Sequence, residues 1–164
     1  MANLNIQVNG VTVVMTGIEF LNYARRFLDA AEALHQDSYK VPYDAVQLHL
    51  LCQSLELHLK AFIWLIDRHT RDKFRSKYGH DLVKLWEHSK SRGIREFCAI
   101  TPLRDEVIGL VGPYYKNRKF IYADISMLVD GIPKLRNNTR VLTSLRKLCK
   151  QLQKSLKAPV FEAS

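Results

Sequence analysis

The alternation of apolar and polar residues starts with a period of two. Leu4, Ile6 and Val8 alternate with polar residues, and Val11, Val13 and Met15 repeat the pattern beyond Asn9-Gly10. Asn-Gly is the preferred centre of a tight hairpin turn because both positions need positive φ. The pattern predicts a short N-terminal β-hairpin over residues 1–15.

From Thr16 the period changes to that of a helix. Thr16-Gly17-Ile18-Glu19 reads as a capping box, and Phe20, Tyr23, Phe27, Ala30 and Leu34 follow at spacings of three and four. That helix should end near Gln36. Pro42 suits the first turn of a second helix. Leu48, Leu51, Cys52, Leu55, Leu59, Phe62, Ile63 and Ile66 then hold one face, with Leu50, Leu57 and Trp64 on a second strip. A helix apolar over so much of its circumference belongs at the centre of a bundle.

A charged loop, "DRHTRDKFRSKYG", separates this helix from a third one. There Asp81 can cap, and Leu82, Leu85 and Trp86 supply the buried face. Thr101-Pro102 opens a fourth helix lined by Leu103, Val107, Leu110 and Val111, which Gly112-Pro113 should kink or interrupt. Asp130-Gly131-Ile132-Pro133 marks a turn. The fifth helix starts near Thr139, striped by Val141, Leu142, Leu145, Leu148, Cys149, Leu152 and Leu156. The expected fold is all-α: an up-down bundle of about five helices over residues 16–158, in a single domain of 1–164.

Composition narrows the function only slightly. Lys and Arg number 25 against 16 Asp and Glu, a net charge of +9, which favours RNA, another polyanion or an acidic protein as partner. Cys52, Cys98 and Cys149 form no CxxC pair and sit among apolar neighbours, so buried, reduced thiols and a cytoplasmic setting are expected. "MANLNIQVNG" lacks the pattern of a secretory signal, and no apolar run reaches membrane-spanning length, so no membrane association is expected.

Three stretches could carry chemistry. His49, Gln53, Glu56 and Lys60 make a polar seam along the second helix. Its ordinary reading is a solvated stripe with Glu56 and Lys60 as an i,i+4 pair; the sharper reading is a partly buried network facing the fourth helix. In "GPYYKNRKFIYAD", Tyr115 and Tyr122 could stack on bases while Lys116, Arg118 and Lys119 hold phosphates. Alternatively the aromatics close the core and the cations complement a helix end. The basic face of the last helix, from Arg140 to Lys157, is either a wet face or a track for phosphates. None of the six histidines falls in a metal-ligand or catalytic motif, so neither metal nor cofactor is expected.

"SLELHLKAFIWLID", then "KYGHDLVKLWEHSK", then "YYKNRKFIY" resemble the HEPN superfamily over roughly residues 45–123. The resemblance rests on the Glu56–Lys60 pair, the Gly79-His80-Asp81-Leu82 turn and the aromatic-basic segment in that order. It implies a small helical-bundle domain, usually dimeric, of a kind found in toxin–antitoxin and defence systems. It also implies a structural role for the turn, with Asp81 capping and His80 hydrogen-bonding. Active members of the family resemble metal-independent ribonucleases marked by an Arg followed by a His near the last long helices. Here no histidine follows His88, and the formal match, Arg75 to His80, lies before the third helix.

The expectation is therefore a non-catalytic HEPN-like homodimer that binds nucleic acid or a partner. One alternative is a divergent HEPN ribonuclease using Arg75 and His80. Another is a structural module that meets an acidic protein.

Overall fold

The computed structural model describes residues 5–8, 11–14, 16–36, 44–122 and 139–164. Strand β1 (Asn5–Val8) pairs antiparallel with β2 (Val11–Val14), Asn5 opposite Val14 and Val8 opposite Val11. The Asn9-Gly10 turn, Pro42 and the Asp130–Pro133 turn lie outside the described residues. The rest is all-α. Six helices are described: α1 (Gly17–Gln36), α2 (Ala45–Asp67), α3 (Arg71–Lys77), α4 (Leu82–Ser91), α5 (Pro102–Lys116) and α6 (Thr139–Ala163). A single 3-10 turn, Ile94–Glu96, joins α4 to the approach to α5.

Helix α2 occupies the centre and packs on α1, α4, α5 and α6. Its stripe from Leu48 to Ile63 is fully buried, whereas Ile66, at the end, is exposed. Polar residues on the same helix reach the backbone of α1: Gln47 Nε2 donates to the Ala31 carbonyl and Ser54 Oγ to that of Ala24, both at 2.9 Å. These bonds satisfy the buried donors that this close packing would otherwise strand.

Three expectations need correction. The buried face of α1 is Phe20, Leu21, Ala24, Leu28 and Ala31; Tyr23 and Leu34, assigned to it from spacing, are exposed. Both series have helical periodicity, and the packed neighbours select between them. The charged loop contains a helix, α3. Thr70 caps it, accepting from Lys73 N, and Phe74 buries its ring edge-on against Phe20. One buried aromatic is enough to hold seven residues that lack an amphipathic repeat. Finally, α5 runs through Pro113 instead of breaking. Pro113 is exposed and only one turn from the end, so it costs one ladder bond there.

Gly112 has a different reason to be small. A Cβ at Gly112 would lie 2.8 Å from Val83 Cγ2, so α5 meets α4 closely enough that a side chain there forces a shift. The capping box at Thr16 is half formed: Glu19 Oε2 accepts from Thr16 N at 2.6 Å, while Thr16 Oγ1 accepts from Ile18 N rather than from Glu19.

The basic face of α6 is partly spoken for. Arg146 holds Glu32 of α1 through two hydrogen bonds, 2.6 and 3.0 Å, and Lys150 adds a third at 2.7 Å. The Arg146 bond, foremost, holds the Glu32 carboxyl down at about 2. Lys147, Lys154 and Lys157 remain exposed. The three cysteines are buried and unpaired. No described helix is long and apolar enough to cross a membrane.

Candidate functional site

The polar seam of α2 is not a solvated stripe. Glu56 is 1% exposed, one turn from fully buried apolar residues. A carboxylate so placed has to be matched on both oxygens. Lys60 Nζ, one turn along the helix, donates to Oε1 at 2.5 Å. His80 Nδ1 donates to Oε2 at 3.0 Å, and the Tyr115 hydroxyl donates to the same oxygen at 2.7 Å. Burial pushes the Glu56 carboxyl up, but the His80, Lys60 and Tyr115 interactions outweigh it, and the group titrates below the usual carboxylate range.

Three elements converge on this carboxylate. The turn between α3 and α4 delivers His80. Gly79 takes φ +55°, a conformation that side chains resist, and its amide closes back onto the Phe74 carbonyl at 3.0 Å. Asp81 then caps α4, accepting from Lys84 N at 3.0 Å, and Leu82 enters the core. The turn is thus both the start of a helix and the mount for His80. The hydrogen bond to Glu56 raises the His80 pKa above the usual imidazole range, and it prevails over partial burial. Helix α5 delivers Tyr115, whose hydroxyl proton is directed toward both Glu56 Oε2 and Gln53 Oε1, the latter at 2.5 Å.

Above the carboxylate lies a cavity of about 160 Å³ lined by His49, Gln53, His80, Tyr115, Arg118 and Ile121. His49 packs its ring 5.7 Å from that of Tyr115, and burial lowers its pKa below the ordinary value against the pull of Glu56. Arg118, at φ +57°, carries the chain out of α5 and sits on the rim. The site therefore combines a protonatable imidazole, a carboxylate that orients it, and a guanidinium suited to an anion.

The residues singled out from the sequence divide into three groups. Glu56, Lys60, His80 and Tyr115 come together in one network. Tyr115 is 4% exposed, so it cannot offer a stacking face; the burial that gives Glu56 its donor removes the ring from solvent. Lys116, Arg118 and Lys119 are exposed around the end of α5, with Lys116 Nζ bonded to the capping Asp81 at 2.9 Å. Tyr122, 69% exposed, is the aromatic that remains available there. Arg75 lies exposed on α3, and among the described residues no hydrogen bond joins it to His80. The link between His80 and Glu56 was missed from the sequence because they are 24 residues apart, with no periodicity to connect them.

A scan against protein-family models and searches of curated proteins and of solved structures return no match to this chain.

Proposed function

We propose that the chain is an HEPN-like, non-catalytic helical domain that binds RNA at the end of α5, as a homodimer. Arg118 and Lys119 hold phosphates, Lys116 contributes the charge it does not spend on Asp81, and Tyr122 stacks on a base. The observation that carries this reading is the clustering of Arg118, Lys119 and the 69%-exposed Tyr122 beside a cavity lined by His80, on a chain of net charge +9. The HEPN-like arrangement is supported by the same residues: the Glu56–Lys60 pair, the Gly-His-Asp-Leu turn and the aromatic-basic segment share one network.

The test is fluorescence anisotropy with a labelled single-stranded RNA at two salt concentrations. Affinity should fall steeply with salt, and Arg118→Glu with Lys119→Glu should reduce it at least about tenfold. Unchanged affinity in the double variant refutes the reading. Light scattering on the same samples checks the dimer.

The His80–Glu56 bond favours a second reading, a metal-independent ribonuclease. His80 would exchange protons with the 2′-hydroxyl and the leaving oxygen, and Arg118, which lines the cavity with His80 where Arg75 does not, would stabilise the phosphorane. RNA cut on a denaturing gel by the wild type, and left intact by a folded His80→Ala variant, would replace the first reading with this one.

A further inference from the structure

A second polar cluster lies away from the Glu56 cavity, where α2 ends. Arg68 takes φ +52° and its amide closes onto the Trp64 carbonyl at 3.0 Å, so the chain reverses direction straight after Asp67. His69 is turned inward by that reversal and is 7% exposed. Its ring packs between Phe74, Tyr78 and His88, with centroids 5.7, 6.2 and 6.1 Å away.

The hydrogen-bond accounting of this histidine is incomplete. Nδ1 lies 3.4 Å from the Asp67 carbonyl oxygen, a long bond that it can make only as a donor. Nε2 is buried with no partner among the described residues. A neutral imidazole protonated at Nδ1 carries a lone pair on Nε2, which is the state and orientation of a metal-ligating histidine. Beside it, His88 Nε2 lies 2.7 Å from Asp67 Oδ2, and Arg92 engages the other oxygen, Oδ1. One ligand atom each from Asp67, His69 and His88 falls within 4.8 Å of the others.

We propose that Asp67, His69 and His88 form a binding site for a divalent transition-metal ion, with Zn2+ the best chemical fit. Two imidazoles and one carboxylate are a borderline-soft donor set, suited to Zn2+ and poorly suited to Mg2+ or Ca2+. Bonds of about 2.0–2.2 Å place tetrahedral ligand atoms about 3.4 Å apart. The widest separations in the cluster, up to 4.8 Å, therefore close, while the His88–Asp67 pair opens from 2.7 Å, both within reach of rotation at the half-buried His88. On binding, His88 gives up its Nε2 proton, to solvent from the imidazolium or by a shift to Nδ1 from the neutral ring, and the freed Nε2 lone pair and the Asp67 carboxylate both face the ion. Arg92 stays on Oδ1 and fixes the carboxylate. Three protein ligands leave a fourth position for water. The sequence hides the site because Asp67-x-His69 has its third member on α4, 19 positions beyond His69.

The test begins with protein stripped by EDTA and dialysed, then titrated calorimetrically with ZnCl2. One ion should bind per chain, and His69→Ala and His88→Ala should each weaken binding by more than about tenfold. Co2+ should give the visible absorption bands of a tetrahedral site, lost on adding excess Zn2+. No saturable one-to-one binding by the wild type overturns the proposal, as does wild-type affinity retained in both variants. If His69→Ala does not fold in EDTA, His88→Ala and the Co2+ spectrum decide: absent bands, or bands unchanged in His88→Ala, overturn it.

Discussion

The His80 imidazole and the Glu56 carboxylate meet at 3.0 Å across 24 residues of chain, one side chain half-exposed and the other buried. This bond joins a helix-starting turn to the centre of the bundle. It also sets the protonation of both groups, raising His80 and lowering Glu56. A raised folded-state pKa means that the contribution of His80 is complete below the unfolded value of about 6.5. It is lost as pH rises through the folded value.

Glu56→Gln keeps the shape and removes the charge. In this variant the His80 pKa, followed by NMR through the ring proton shifts, should fall to or below the ordinary imidazole value. A His80 that titrates identically in the two proteins would rule out Glu56 as the cause. Glu56→Ala should cost more, about 3 kcal/mol in urea denaturation, because Lys60 loses its acceptor inside the protein and the Tyr115 hydroxyl is left with Gln53 alone.

A different histidine contributes to the loss of stability in acid. His58 is fully buried; burial pushes its pKa down to about 4. Its Nδ1 donates to the Ser54 carbonyl at 2.9 Å, and Nε2 lies 2.9 Å from the Gln153 side-chain amide on α6. The folded protein keeps this ring neutral while the unfolded chain protonates it below about 6.5. Its stabilisation is therefore complete above that pH and is lost as pH falls toward 4. The loss amounts to about 3 kcal/mol from this one group. Denaturation free energies of wild type and His58→Leu, measured from pH 7 to 4, should converge by that amount. Parallel curves would show that His58 protonates as readily in the folded state. The acid loss from Glu32 and Glu56, both lowered, is common to the two proteins and cancels in the comparison.

The helical body was legible because its main signals are local. The α2 stripe, the Asp81 and Thr101 caps, and the α6 stripe each follow from residues a few positions apart, and each forms. What escaped depends on neighbours distant in the chain. The two candidate stripes of α1 are distinguished only by which one faces α2. Helix α3 depends on Phe74 finding Phe20. The exposed-looking seam of α2 was buried by α5 and by the α3–α4 turn. Tyr115 was assigned to bases when its hydroxyl belongs to Glu56. Polar residues were the hardest to read, because their role depends on partners that carry no sequence period.

Gly112 tests the closeness of α4 and α5. Gly112→Ala adds a methyl group 2.8 Å from Val83 Cγ2, a β-branched side chain with little freedom to turn away. The variant should lose about 1–3 kcal/mol, although alanine is the better helix former. Pairing it with Val83→Ala should recover most of that loss relative to Val83→Ala alone. A stable Gly112→Ala protein would mean that the helices separate at little cost.

Tyr115 and Tyr122 make a matched pair of opposites, seven residues apart at the end of α5, one 4% and one 69% exposed. Tyr115→Phe keeps the buried ring and removes a hydroxyl that donates to Glu56 Oε2 at 2.7 Å. It should cost about 1–3 kcal/mol, since a bond to a charged acceptor is lost. RNA affinity should barely move. Tyr122→Ala should do the reverse: a midpoint in urea within error of the wild type, and anisotropy weakened by about 1–3 kcal/mol, the worth of one stacked base. The two measurements on the two variants separate a residue that builds the site from one that meets the ligand. If Tyr122→Ala binds RNA as well as the wild type while Arg118→Glu does not, the end of α5 holds phosphates alone and reads no base face.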